Sequence, residues 1–269
     1  MKFIEPSVTI VKGLPPLQKI ALIARVCTGT QDKAETTPET ALAFCKKLIG
    51  MGHMSPFEHA RIIEPFKPYS KLALKHYFNG RPPYGVADRI ASIDGEHYAL
   101  NVRDYLAQGG TLEEVAGFEE AQDYLTVCFT VDIGIARELI RHRSMSFMER
   151  STRWCSWSEE NGGIEFIAPE RCKEDGGFAE LCREVFVEAE WRYFVAVNNG
   201  VPREMARSVL PLATATRLYV TGTYDYWIRL LHLRLGKRAH PAMRRVMKML
   251  CNLPDFPDEI LGMVAYDLA

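Results

Sequence analysis

Apolar and polar residues recur along the chain with spacings that predict both helices and strands. Residues 16–27 (PLQKIALIARVC) and 178–199 carry apolar residues at helical spacing, and the second segment is the longest predicted helix, with Gly200 placed to end it. DYWIRLLHLRLG (225–236) and HPAMRRVMKMLCNL (240–253) predict two further helices. LTVCFTV (125–131) and TRLYVTGT (216–223) are rich in β-branched and aromatic residues, which predicts strands.

Local signals predict where other elements begin and end. Thr37 is suited to cap a helix that starts at Pro38 and ends at Gly50 or Gly52. TLEEVAGFEEAQDYL opens with Thr111 and Glu114 at capping-box spacing, so we expect a helix there. The remaining expectations are helices in SKLALKHYF, YALNVRDYLAQGG, IGIARELIRHR and PREMARSVLP, a short strand in GIEFIAP, an edge strand in RIIEPFKPY and a break at GRPPYG.

These elements mix helices and strands without a regular strand–helix–strand rhythm. Such a mixture favours a single α+β domain over residues 1–269 rather than a doubly wound sheet.

Composition and charge restrict the classes of function. The net charge is -1, so the molecule as a whole offers no field that attracts nucleic acid or an anionic membrane, and any basic site must be local. The seven cysteines form no CxxC pair and MKFIEPSVTI has no signal-peptide character, so we expect free thiols in the cytoplasm. We expect no membrane helix and no metal site, because long apolar runs and ligand spacings are missing.

One local basic segment stands out, RELIRHRSMSFMERSTRW (137–154). It contains five arginines interleaved with serine, methionine and phenylalanine rather than with glutamate at helical spacing. Neither a GxGxxG loop nor a P-loop occurs, so a phosphate would have to be held by side chains, and arginine suits that task. From the residues alone, an anion site and a solvated or ion-paired face both remain open.

This segment resembles the signature of the flavin-dependent thymidylate synthases. Arg141-His142-Arg143, then seven residues, then Ser151 is similar to that family's RHR-x7-S motif. Glu149 and Arg153 stand where the family has its glutamate and arginine.

Three other segments extend the resemblance in the family's order. GHMSPFEH (52–59) is similar to GH-x-S/T-P-F-EH, and GVPREMARSVLP (200–211) to G-x-P-x-E-x-A-R-x-x-L-P. LHLR ends at Arg234, as the family's L-x-L-R does at its arginine. One RHR would be weak evidence, whereas four ordered segments across roughly residues 15–250 are specific.

The resemblance implies a fold and an activity. The implied fold is that of the flavin-dependent thymidylate synthases, with mixed helices around a mainly antiparallel sheet. Relative to minimal members of that family, the stretch near residues 80–120 looks like an insertion. The implied reaction makes dTMP from dUMP, with methylenetetrahydrofolate as carbon donor, FAD as hydride carrier and NADPH as reductant. The implied assembly is a homotetramer whose active sites lie at subunit interfaces, which would let distant arginine segments converge.

The resemblance also assigns roles at the flavin. Arg141, His142 and Arg143 would bind FAD, where a positive group stabilises an anionic reduced flavin. The alternative is a basic helix end that interacts with the helix dipole. His53 and Ser55 resemble further flavin contacts, whereas His59 is equally consistent with a core histidine and is not assigned.

The implied dUMP site draws on residues from several segments. Arg141, Glu149, Ser151 and Arg153 resemble nucleotide contacts, and Arg153 and Arg207 would bind the phosphate. Ser151 is a catalytic candidate, but a nucleophilic serine needs a base within reach and His142 is assigned to flavin, so we favour binding and orientation. The other interpretation of Ser151 is a helix cap.

Arg234 is the second catalytic candidate. It resembles the arginine that holds the pyrimidine carbonyl, where a cation would stabilise charge on the ring. A C-terminal helix arginine favoured by the dipole, before Gly236, is the alternative. Glu138 either lies near dUMP or forms an ion pair with Arg141, and both interpretations stay open.

The chain departs from the family pattern in TGTYDYWIRLLHLR. Thr223 and Asp225 stand where many members carry a neutral residue and an arginine, and Arg229 would supply the missing charge to FAD from one turn later. These departures leave room for a related flavoenzyme that acts on dUMP with another product, such as a hydroxymethylated one. A nucleic-acid-binding protein is a second rival, against which the near-neutral charge argues, and a catalytically dead scaffold is a third.

Overall fold

The computed structural model describes residues 1–32, 36–65, 90–92, 97–155, 157 and 162–268. The predicted helix SKLALKHYF and the break at GRPPYG lie outside the described residues.

The described strands form three sheets. A four-stranded sheet has the order β2-β6-β9-β7, a three-stranded sheet has the order β3-β5-β4, and both are antiparallel throughout, whereas β1 and β8 pair in parallel. The strands are β1 (Lys2–Phe3), β2 (Ser7–Ile10), β3 (Arg61–Pro65), β4 (Ile90–Ser92), β5 (His97–Asn101), β6 (Tyr124–Asp132), β7 (Ser146–Glu149), β8 (Glu165–Phe166) and β9 (Ala215–Thr223).

Helices surround these sheets, and their mixture with antiparallel strands confirms the α+β prediction. The α-helices are α1 (Pro16–Ala24), α2 (Pro38–Gly50), α3 (Val102–Ala107), α4 (Leu112–Val115), α5 (Ile133–Leu139), α6 (Gly176–Asn198), α7 (Arg203–Ala206), α8 (Tyr224–Leu235), α9 (Pro241–Cys251) and α10 (Asp258–Leu268). The 3-10 helices are Arg25–Thr28, Ser55–His59, Glu170–Lys173 and Arg207–Val209. No described helix is long and apolar enough to cross a membrane.

The largest core forms around the central strands β6 and β9. Their inward residues are bulky and apolar, and helices α5, α8, α9 and α10 cover that face. Trp227 of α8 is fully buried there, and its indole N–H donates to the Leu125 carbonyl at 3.0 Å, which satisfies the one polar group of this side chain. A second core joins α1 and α2 to the Ser55–His59 turn, β5, α3 and α4.

Several predicted boundaries are confirmed. Thr37 accepts a hydrogen bond from the Thr40 amide at the start of α2, and Gly52 follows that helix with a φ of 74°. Thr111 and Glu114 form the predicted capping box. Gly200 follows α6 with a φ of 83°, and β3 is an edge strand.

Two predicted helices are wrong in part. YALN in YALNVRDYLAQGG is strand, because residues 97–101 pair with both β3 and β4, and Asn101 then caps α3 through the Asp104 amide at 2.8 Å. The helix predicted for TLEEVAGFEEAQDYL lasts only from Leu112 to Val115. Beyond it the backbone turns to bond with β3, since the Ala121 amide donates to the Arg61 carbonyl at 2.9 Å.

Candidate active site

The RHR triplet lies in a turn between α5 and β7. Asp132 ends β6 and caps α5 through the Ile135 amide at 2.8 Å, so the helix starts where the central strand stops. The predicted helix IGIARELIRHR is too long, because α5 ends at Leu139. The chain must reverse there for Ser146 to pair with Thr221 of β9, and the His142 and Met145 amides close the turn.

Arg141 and Arg143 project from this turn as exposed cations. Within the described part of the chain neither guanidinium has an ion pair or a side-chain hydrogen bond, whereas Arg150 of the same segment pairs with Glu165. Two uncompensated guanidinium groups on one short turn fit an anionic ligand.

Arg234, near the end of α8, forms hydrogen bonds with both the RHR turn and α5. Its Nε donates to His142 Nε2 at 2.8 Å, its Nη1 to Glu138 Oε2 at 2.9 Å and its Nη2 to the Glu138 carbonyl at 2.9 Å. The ion pair of Glu138 is therefore with Arg234 and not with Arg141. Burial first, and the Arg234 charge second, lower the pKa of His142.

The flavin candidates His53 and Ser55 lie in and next to the Ser55–His59 turn, which Glu58 links to the chain just after the RHR triplet. His53 and Ser55 are exposed where α2 leads into the Ser55–His59 turn. Ser146, which follows the RHR triplet, donates from its Oγ to Glu58 Oε2 at 3.0 Å. Glu58 was not among the residues predicted for the site, although the EH of the GHMSPFEH motif was a usable signal.

His59 is a core histidine. It is fully buried, its Nδ1 lies 2.6 Å from Thr221 Oγ1, and burial lowers its pKa to about 3. The Oγ1 of Thr221 also forms a hydrogen bond with Thr126 Oγ1 at 2.9 Å, so these side chains join the 55–59 turn to the central strands. The core interpretation, which was left open, is the one that the structure supports.

Arg229 is exposed on α8, one turn after Asp225. Its guanidinium lies 5.7 Å from the ring centre of Tyr226, within cation–π range. Thr223 precedes the helix as its N-cap residue but makes no side-chain capping bond. No hydrogen bond or ion pair joins Arg229 to the RHR turn among the described residues, so its role at FAD stays a prediction.

A second group of candidates lies at the other end of β7. Glu149 ends that strand, and its Oε1 accepts a hydrogen bond from Thr216 Oγ1 at 3.0 Å, while burial raises the pKa of its carboxyl. The loop that follows is anchored by its backbone: the Arg150 amide donates to the Arg217 carbonyl at 2.8 Å and the Ser151 amide to the Cys27 carbonyl at 3.2 Å.

Ser151 caps its own turn. Its Oγ accepts a hydrogen bond from the Arg153 amide at 3.2 Å, and its carbonyl accepts one from the Cys155 amide at 2.9 Å. Arg207 reaches the loop from the 3-10 turn after α7, where its Nη1 donates to Thr152 Oγ1 at 2.7 Å. Arg153 is exposed over the ring of Trp154.

The structure thus gathers the candidates into two groups. The turn group contains Glu138, Arg141, His142, Arg143 and Arg234, with His53 and Ser55 beside it, and the loop group contains Glu149, Ser151, Arg153 and Arg207. Strand β7 spans four residues, so its ends lie about 10 Å apart. Within one copy of the described chain no hydrogen bond or ion pair joins the two groups.

Residues 117–254 match the family model described as "Thymidylate synthase complementing protein". The chain belongs to this family. The matched range contains every candidate of both groups except His53 and Ser55.

Relatives in the family carry a more specific name. A "Flavin-dependent thymidylate synthase" from Pyrococcus furiosus is 34% identical over 168 residues, which cover 61% of this chain and 64% of that protein. One of the same name from Synechocystis is 30% identical over 138 residues, covering 45% and 61% respectively. In both cases the match spans less than two thirds of the relative's length.

The solved structure of a "UMP/dUMP methylase PolB from Streptomyces cacaoi bound with 5-Br dUMP" has a similar fold. It superposes with a TM-score of 0.50 at 17% identity and covers 99% of this chain and 97% of that chain. At this identity the likeness concerns the fold alone.

Proposed function

We propose that the protein is a flavin-dependent thymidylate synthase. It would convert dUMP to dTMP with methylenetetrahydrofolate as carbon donor and NADPH as reductant. The observation that carries the proposal is the turn group, in a chain of this family. Two exposed arginines, which have no ion pair among the described residues, flank a histidine that bonds Arg234, and Glu138 in turn holds Arg234.

The flavin would bind at the RHR turn. The donor set there fits FAD, since Arg141 and Arg143 are free to meet anionic groups and His53 and Ser55 offer further polar atoms. Arg229 would meet the phosphates and offset the acid at Asp225. Bound flavin would supply the hydride for the reaction, and the cations of the turn would stabilise negative charge on its ring.

The nucleotide would bind between the two groups of side chains. Arg153 and Arg207 would hold the phosphate, Glu149 and Ser151 would orient the nucleoside, and Arg141, Glu138 and Arg234 would face the pyrimidine. The contact between Ser151 Oγ and the Arg153 amide supports an orienting role rather than nucleophilic attack, since no base touches that hydroxyl among the described residues.

A second copy of the chain would complete the site. The loop group of one copy would approach the turn group of another, which accounts for two separate groups in one chain. Helix α6 supports such an assembly, because its outer face exposes large apolar side chains among its ion pairs: Leu181 55%, Val185 50%, Val187 49%, Trp191 51% and Val195 37%. We propose a homotetramer with sites at the subunit interfaces.

Three further parts of the proposal concern the chain as a whole. It would form one domain over residues 1–269, in which the insertion near 80–120 contributes the described β4, β5, α3 and α4. It would work in the cytoplasm, which the seven unpaired cysteines support. Nucleic acid and membranes would not be partners.

The visible absorption spectrum of the protein mixed with FAD tests this proposal. A bound-flavin spectrum that shifts when dUMP is added would place the nucleotide against the flavin. A protein that takes up no FAD would refute the function, whereas one that binds FAD but shows no response to dUMP would refute the substrate.

A further inference from the structure

Arg234 is held from two elements at once. Each of its guanidinium nitrogens donates a hydrogen bond, one to the imidazole of His142 and two to Glu138. One of the Glu138 acceptors is a backbone carbonyl, so the orientation of the guanidinium plane is set by helix α5 itself. A planar fork held at three points has little freedom to rotate.

This arrangement determines the state of the histidine. A guanidinium group only donates and is not deprotonated in proteins. The ring nitrogen that lies 2.8 Å from Arg234 Nε must therefore carry a lone pair, and that nitrogen is Nε2. A neutral imidazole has one N–H and one lone pair, so the proton of His142 sits on Nδ1.

The Nδ1–H group remains available to a ligand. In the described part of the chain no hydrogen bond engages Nδ1 of His142, and the ring is half-buried between the exposed Arg141 and Arg143. The turn would therefore present one neutral donor between two cations, a set that selects a hydrogen-bond acceptor on an anionic molecule.

We propose that Arg234 is a positioning residue that fixes His142 as the neutral Nδ1–H tautomer, so that Nδ1 donates to an acceptor oxygen or nitrogen of the ligand at the RHR turn. The identity of that ligand as flavin rests on the proposed function, whereas the tautomer does not. Arg234 would then act on the flavin through His142, in addition to any contact with the pyrimidine.

Nitrogen NMR of the full chain with 15N-labelled histidine measures the tautomer directly. His142→Asn identifies the signals of this ring among the seven histidines. We expect a protonated Nδ1 and an unprotonated Nε2 at neutral pH. A protonated Nε2 in the wild-type protein would overturn the proposal without any further variant.

Two substitutions test whether Arg234 itself fixes the tautomer of His142, or whether any change near the RHR turn alters it. Glu138→Gln leaves the Arg234–His142 bond in place, so the Nδ1–H pattern should persist. Arg234→Met removes the donor, and the ring should move to the Nε2–H form that imidazoles favour in water. If Arg234→Met alone does not fold, the double variant with Glu138→Gln removes the unpaired carboxylate. An unchanged tautomer without Arg234 would contradict the proposal.

Ligand additions test the donor role. FAD should shift the Nδ1 proton signal of His142, and FAD that binds without such a shift would refute it. Riboflavin carries the ring without the diphosphate and inorganic pyrophosphate carries the phosphates without the ring, so the probe that reproduces the shift identifies the acceptor. If His142 is the Nδ1–H tautomer in a protein that binds no flavin, the proposed function is refuted, whereas the positioning role of Arg234 still holds.

Discussion

Replacing Arg207 by alanine should weaken dUMP binding through the loss of a phosphate contact. Arg207 is exposed, and among the described residues its side chain has one hydrogen bond, to Thr152 Oγ1 at 2.7 Å, and no ion pair. Most of its donors are therefore free for a ligand. Removing the side chain leaves no buried partner unsatisfied, so the fold should tolerate the change.

The size of the effect follows from the kind of bond lost. A charge-assisted hydrogen bond contributes about 1.5–3 kcal/mol, and each 1.4 kcal/mol is a factor of ten in affinity. Loss of one such bond from an exposed arginine to the phosphate should therefore raise the Kd for dUMP about 10- to 100-fold.

Isothermal titration of the FAD-loaded protein measures this change. Arg203→Ala is the matched control, because Arg203 is also exposed and lies one turn away at the start of α7. Deoxyuridine is the ligand control, since it lacks the phosphate and should bind wild type and Arg207→Ala equally. An unchanged Kd for dUMP, or an equal loss for deoxyuridine, would refute the phosphate role of Arg207.

Three further predictions concern other residues. Ser151→Ala should lower turnover about 10- to 100-fold in a steady-state assay, whereas loss of a true serine nucleophile lowers it on the order of a million-fold. The side chain of Lys19 is 2% exposed and bonds Glu120 at 2.6 Å, while Glu120 is 23% exposed. Lys19→Met leaves this partly buried carboxylate without its partner and should lower the free energy of unfolding in urea by about 1–3 kcal/mol. Adding Glu120→Leu should restore most of that loss, and a double variant no more stable than Lys19→Met would argue against the unpaired carboxylate as its cause. Burial lowers the pKa of His59 from 6.5 to about 3, so between these pH values the folded state binds fewer protons than the unfolded state. The free energy of unfolding should therefore fall by up to about 1.4 kcal/mol per pH unit as the pH drops from 6.5 towards 3. His59→Gln should flatten that dependence, and an equal slope in both proteins would exclude His59 as its source.

The long, strongly patterned elements were predictable because their residues carry the signal themselves. Strands β6 and β9 are nine-residue runs rich in β-branched and aromatic side chains, and α8 has an apolar stripe bounded by a cap position and a glycine. The capping box was predictable for the same reason, since Thr111 and Glu114 lie three residues apart in sequence.

Short elements made by tertiary pairing were not predictable. Strand β7 lies inside the arginine-rich segment, and its four residues are a strand only because they pair with β9. Strand β5 continues directly into α3, so the apolar spacing of the two together predicted one helix. Residues of β5 are a strand because they pair with β3 and β4, which lie elsewhere in the sequence.

The candidate site was predictable as a set of residue types, and its contacts were not. Helical spacing placed Glu138 beside Arg141, but the actual partner, Arg234, is 96 residues away in sequence. The link from Glu58 to Ser146 also joins distant segments. Such contacts depend on how α8 and the Ser55–His59 turn pack around the central sheet, which no local pattern encodes.

The mass of the nucleotide that the protein forms from dUMP tests the proposed function most directly. The protein, loaded with FAD, is incubated with dUMP, methylenetetrahydrofolate and NADPH, and the nucleotide fraction is analysed by mass spectrometry. The proposed function predicts a product heavier than dUMP by one CH2 group that co-elutes with dTMP. A hydroxymethylated nucleotide, or unchanged dUMP from flavin-loaded protein, would contradict it.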